Sequence, residues 1–164
     1  METGFKTILR LICLVVIVLT SCTKEEPKID YTGEAMLYRL GDDSFIKELD
    51  KDYLTVRTQP FSFAGIFNNN TKEVFILEMK GPSYYNLSPG SFITPSEVIF
   101  GNPYYLAHLG STRKIESGYI KYVGATASGG IILRFIDLTF KCKRTDDSGI
   151  EDTYFIRGTV TYDK

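Results

Sequence analysis

The chain contains no tryptophan, one histidine and three cysteines in 164 residues, and its formal net charge is −1. Near-neutrality leaves no whole-chain basic field to gather nucleic acid. With His108 as the sole imidazole, a Ser-His-Asp site or a histidine-built zinc site would have to use it. Nothing around His108 forms a nucleophile elbow or a paired-ligand spacing, and it alternates with Tyr104 and Leu106 as in a strand. The reading is therefore a chain without catalytic residues, resident metal or cofactor. Glycine and proline, 14 and 6, are too few for a collagen-like chain. At 43% hydrophobic residues the chain is too apolar to be disordered.

What is present begins with an address. Lys6 and Arg10 precede Leu11–Leu19, an unbroken apolar run of nine residues. A helical membrane span needs about 20 apolar residues, so the run has the length of a signal-peptide core instead. Leu19-Thr20-Ser21-Cys22 follows, and Thr23-Lys24-Glu25-Glu26-Pro27-Lys28 after it is polar, proline-bearing and without apolar period, as in a solvated tether. Residues 19–22 resemble the lipobox of bacterial lipoproteins. That resemblance implies a diacylglyceryl thioether on Cys22, cleavage before it, and attachment to the outer membrane, at the cell surface or facing the periplasm. Two or three acyl chains hold a protein stably where one does so only marginally. The acidic pair Glu25-Glu26 is similar to the surface-export signal of Bacteroidota lipoproteins. The expected organisation is a signal peptide over 1–21, a lipidated cysteine and tether over 22–30, and one domain over 31–164.

Cysteine usage fits that organisation. Cys13 leaves with the signal and Cys22 carries lipid, so no cysteine within the chain remains to form a disulfide with Cys142 and the fold cannot rest on one. Cys142 falls on the apolar phase of its segment, where a thiol behaves as a small hydrophobe.

Beyond the tether, alternation outweighs helical spacing. Val, Ile, Thr, Tyr and Phe dominate, cut by Gly, Pro, Asn and Asp clusters about every ten residues, the pattern of an all-β sandwich or barrel. We expect an antiparallel β-sandwich or partly open barrel of about nine strands. They are Glu34–Leu40, Tyr53–Thr58, Phe61–Phe67, Glu73–Met79, Glu97–Phe100, Tyr104–Leu109, Gly118–Val123, Ile131–Lys143 and Thr153–Tyr162. Asn68-Asn69-Asn70-Thr71 is a turn that makes Phe61–Met79 a hairpin. One short helix is expected at Ser44–Lys51, capped by Asp43 or Ser44. Ile131, Leu133 and Phe135 are apolar in one phase and Ile136, Leu138, Phe140 and Cys142 in the other, which predicts a β-bulge or sharp bend near Phe135–Ile136. In Thr153–Tyr162 the apolar phase is Tyr154, Ile156, Val160 and Tyr162, and Phe155 is the exception on the polar side.

Two stretches carry possible chemistry. Asp146–Asp152 holds four carboxylates in seven residues, yet lacks the alternating ligands of a calcium loop and reads as a solvated hairpin tip. Tyr84-Tyr85 and Tyr104-Tyr105 are consecutive pairs flanked by Gly and Pro, so that one ring of each pair faces water. Exposed tyrosines anchor protein interfaces or stack on sugar rings. The functional expectation is a non-enzymatic lipoprotein, anchored through Cys22, whose β domain binds a protein of an envelope assembly. The alternative is a surface accessory that captures glycans for nutrition through Tyr84, Tyr85, Tyr104 or Tyr105. The chain resembles small Bacteroidota lipoproteins of this layout.

Overall fold

A computed structural model describes residues 28–68, 74–81, 87–101, 111–143 and 149–163. They form ten strands and no helix: β1 Met36–Arg39, β2 Asp42–Thr58, β3 Phe61–Asn68, β4 Val74–Lys80, β5 Phe92–Ile93, β6 Glu97–Gly101, β7 Ser111–Arg113, β8 Ile115–Ala125, β9 Ile131–Lys143 and β10 Glu151–Tyr162. All pair antiparallel in one sheet, in the order β5-β8-β9-β10-β1-β2-β3-β4-β6-β7. The sheet curls into a half-barrel instead of splitting into two stacked layers. Phe63 of β3 and Phe135 of β9 stand four steps apart in the strand order, yet their rings meet edge to face at 5.2 Å.

The inner face is set by side-chain alternation. Phe61, Phe63 and Phe67 point inward with Leu77, Met79, Leu133, Phe135, Leu138, Phe140 and Ile156, all fully buried. Each such side chain contributes about 1.5–3 kcal/mol relative to an exposed position. The Phe61–Met79 hairpin forms as its pattern predicts, pairing Phe63 with Met79 and Phe67 with Phe75. The span Ile131–Lys143 is a strand end to end.

The expected bulge lies one residue further on. Ile156 pairs with Leu138 and Gly158 with Phe135, so Ile136 and Asp137 together face Arg157. Asp137 has φ 44°, the left-handed conformation that aspartate tolerates better than most residues. Beside it in β8 stands Gly118 (φ 78°), and in β10 Gly158 (φ 118°) pairs with Phe135, next to the Arg157 that Asp137 faces. A Cβ at Gly118 would lie 2.1 Å from the Asp137 carbonyl oxygen, and one at Gly158 would lie 2.3 Å from that of Glu34. Three adjacent strands therefore kink at one level, and this row bends the sheet.

The helix expected at Ser44–Lys51 does not form; those residues belong to the 17-residue strand β2. Phe45 and Lys47 point inward while Ser44, Ile46 and Glu48 face outward. The alternation is hidden in the sequence because its central inward residue is a lysine. Lys47 is 2% exposed, its ammonium 4.9 Å from the centre of the Phe45 ring and 5.9 Å from that of Phe75. Aromatic faces carry negative potential, which compensates part of the desolvation of the charge. Further along, four residues of β2 (51–54) face the single Gly65 of β3, so Leu54 and Val56 resume the inward phase after a wide bulge. The expected strand Tyr104–Leu109 lies outside the described residues.

Candidate functional site

The outer face departs from the usual polar covering of a half-solvated sheet. In β10, Phe155 and Arg157 occupy the outward phase. Phe155 stacks on Tyr38 of β1, with ring centres 5.0 Å apart and planes within 7°. The Arg157 guanidinium lies 5.2 Å from the Phe155 ring centre, 5.7 Å from that of Tyr31 and 5.9 Å from that of Tyr38. Arg157 Nε donates to Asp137 Oδ1 at 2.7 Å, and the Tyr31 hydroxyl donates to Asp137 Oδ2 at 2.8 Å. The left-handed turn at Asp137 thus aims one carboxylate at both groups. It holds the Tyr31 hydroxyl above its ordinary pKa, chiefly through that hydrogen bond, and raises Arg157 by the same means.

The stripe runs on in both directions. Tyr38 pairs in register with Ile46 of β2, which is exposed. On the other side Tyr119 of β8 lies opposite Ile136 and meets Phe92 of β5 edge to face at 4.8 Å. Phe92 is 60% exposed and Tyr119 37%. Six neighbouring strands, from β5 to β2, carry this stripe across about 24 Å at the usual strand spacing, with its rings on β5, β8, β10 and β1. Tyrosine, phenylalanine and arginine, with the arginine fixed by a carboxylate, are the composition of interface hot spots.

Two cavities flank the C-terminal end of β10. One, of about 320 Å³, lies between Thr159–Thr161 and the β2 bulge, with Leu49, Leu54 and Val160 among its walls. Glu34 and Lys51, which also line it, are paired with each other. The second, of about 400 Å³, opens at the mouth of the half-barrel, where β2 ends and the β8–β9 turn begins. Val56 and Ile131 form its floor, and Tyr122, Tyr162, Arg57 and Thr58 its sides.

The tyrosines singled out in the sequence, Tyr84, Tyr85, Tyr104 and Tyr105, lie outside the described residues, as do Cys22 and His108. So do Asp146 and Asp147 of the acidic loop; Asp152 is described and sits 3.7 Å from Arg39 Nη1. Among the described residues no three His, Cys, Asp or Glu side chains cluster as metal ligands, and no helix is long and apolar enough to cross a membrane. Cys142 is buried, on the inward phase. The stripe was announced by one sequence signal, the aromatic ring of Phe155 on a polar phase. Tyr31, Tyr38, Phe92 and Tyr119 join it through register and curl, which no local pattern conveys. The class defined by these features is an antiparallel half-barrel with an aromatic outer stripe. No family model matches the chain, and no curated protein or solved structure is significantly similar to it.

Proposed function

We propose that this chain is an outer-membrane lipoprotein of the Bacteroidota type, anchored through Cys22. Its half-barrel works without catalysis, docking onto a protein of an envelope assembly through the Tyr38–Phe155–Arg157–Tyr119–Phe92 stripe. The lipobox-like run at 19–22 supports the anchor. The observation that carries the docking is the stripe itself: half-buried rings packed on an arginine whose charge and geometry are fixed in advance, continued by the exposed rings of Tyr119 and Phe92. A preorganised side chain loses less rotamer entropy on binding, so more of its contact energy appears as affinity. The polar centre at Asp137, Arg157 and Tyr31 favours a protein partner over a lipid surface, since hydrocarbon offers no hydrogen bonds to such groups.

The test is co-purification from native membranes in mild detergent, comparing the unaltered chain with the double variant Phe92→Ser, Tyr119→Ser, whose rings are the exposed ones of the stripe. The unaltered chain should carry a stable neighbour that the variant loses, while both melt alike, because the replaced rings stand on the outer face. A Cys22→Ser chain should leave the membrane fraction. A complex indifferent to the stripe, or no stable neighbour at all, contradicts the reading; self-association lost in the variant would replace the partner by a second copy.

A further inference from the structure

Beside the stripe the outer face carries two cations set against each other. Lys121 of β8 stands directly opposite Arg134 of β9, and both are half-buried on the outward phase of their strands. Their row is continuous across the sheet: Phe92 of β5 pairs with Lys121, and Arg134 with Thr159 of β10. In the next outward row Tyr119 faces Ile136, so the two cations border the exposed rings of the stripe. Like charges directly opposite each other repel and weaken a sheet.

The fold offsets little of that repulsion. Among the described residues Lys121 has no hydrogen-bond or ion-pair partner. Arg134 Nε donates to Thr159 Oγ1 at 3.2 Å, and that hydroxyl donates to the Tyr31 carbonyl oxygen at 2.8 Å. The guanidinium is thereby positioned without being neutralised. Two carboxylates lie on this side. Asp30 feels the charge of Arg134, but its Oδ1 accepts both the amide and the hydroxyl of Thr32, and it forms no ion pair with Arg134. Asp137 is taken by Arg157 and Tyr31.

We propose that Lys121 and Arg134 receive an acidic side chain of the docked partner, whose matching surface is therefore an acidic patch bordered by apolar residues. This deepens the docking reading and rests on it for the surface concerned. Side chains opposed on neighbouring strands have Cβ atoms about 4.5–5.5 Å apart, so one carboxylate can accept from both an ammonium and a guanidinium. Bonds between ionised groups are about twice as strong as neutral ones, and half-buried charges are screened less by salt than exposed ones. The net charge of the chain is −1, so an acidic partner gains nothing from the chain as a whole and is selected at this pair.

The test compares the full unaltered chain with Lys121→Gln and Lys121→Glu by co-purification from native membranes, by anisotropy titration with labelled hexaglutamate, and by melting. Lys121→Glu sets an opposite charge before Arg134, so it should melt at or above the unaltered temperature while losing the neighbour. Lys121→Gln should weaken hexaglutamate binding at least about tenfold, the loss of a charged hydrogen-bonded pair, without melting lower. A merely structural lysine would lower melting and binding together. A neighbour retained by Lys121→Glu, or hexaglutamate binding that is absent or equal in Lys121→Gln, overturns the proposal. Displacement of hexaglutamate by dihexanoyl phosphatidylglycerol at equal concentration overturns it too, in favour of an anionic lipid surface. The Phe92→Ser, Tyr119→Ser chain should lose the neighbour yet keep hexaglutamate. If even the unaltered chain holds no neighbour while its hexaglutamate binding depends on Lys121, the docking reading falls and the acid preference of the pair stands, so the two fail separately.

Discussion

Asp42 sets the response to acid of the β1–β2 hairpin. The Ser44 hydroxyl donates to it at 2.6 Å, the Arg39 guanidinium pairs with it, and the Ser44 amide adds a third bond at 3.1 Å. These bonds, the hydroxyl first, lower its pKa from 3.8 to about 2. A depressed folded-state pKa means stability that is present above the unfolded value and lost as pH falls through the folded one. The urea midpoint should therefore drop between about pH 4 and pH 2, and Asp42→Asn should flatten that slope. Equal slopes would remove Asp42 from the acid response. Asp30 and Asp163, also lowered by hydroxyl donors, contribute to the slope that remains in the variant. At the alkaline end, burial holds the Tyr154 hydroxyl above its ordinary value of 10. Its contribution is present below pH 10 and is lost as pH rises through the folded value. Single residues also mark where sequence reading succeeds and fails. Phe155 was legible as an anomaly because its outward phase is set by its own neighbours. Lys47 was not, because a buried ammonium held over two aromatic rings breaks the alternation that would have identified its strand.

At the scale of elements, strands with strict alternation were legible to within a residue or two: Phe61–Phe67 became β3, Ile131–Lys143 became β9, and Thr153–Tyr162 became most of β10. The bulge in β9 was legible because a phase change in apolar residues has no other strand-compatible cause. Its partners were not. Gly118 and Gly158 read as ordinary turn-formers, and only pairing reveals that they stand at the level of the β9 bulge, in the strands on either side of it. β5 and β7, of two and three residues, are too short to show a period. The kink row yields its own prediction. Gly118→Ala would strain a backbone at φ 78° and press a methyl onto the Asp137 carbonyl. It should cost more than about 2 kcal/mol, from left-handed strain plus overpacking, read as a lowered urea midpoint. It should also weaken the stripe, since the same bulge aims Asp137 at Tyr31 and Arg157. Gly124→Ala, where nothing lies within 4 Å and φ is not positive, is the control and should change little. A neutral Gly118→Ala would mean that the row of kinks does not set the curl.

At the scale of the molecule, alternation established an all-β architecture but left a sandwich and a barrel open. Both bury one face of every strand, and the choice between them lies in long-range pairing. β10 joins β1 across more than a hundred residues, which converts a meander into one curled sheet. The same long-range closure assembles the stripe from residues 31, 38, 92, 119, 155 and 157, so the candidate surface is a product of topology. The docking claim can be measured where the protein works. A photo-crosslinking amino acid would be placed in living cells at Tyr119 or Phe155, in the stripe, and at Tyr53, which is 64% exposed on the β2 bulge. The account predicts a discrete adduct to one envelope protein from both stripe positions and none from Tyr53. Adducts from Tyr53 alone, or the same diffuse products from all three positions, would contradict it.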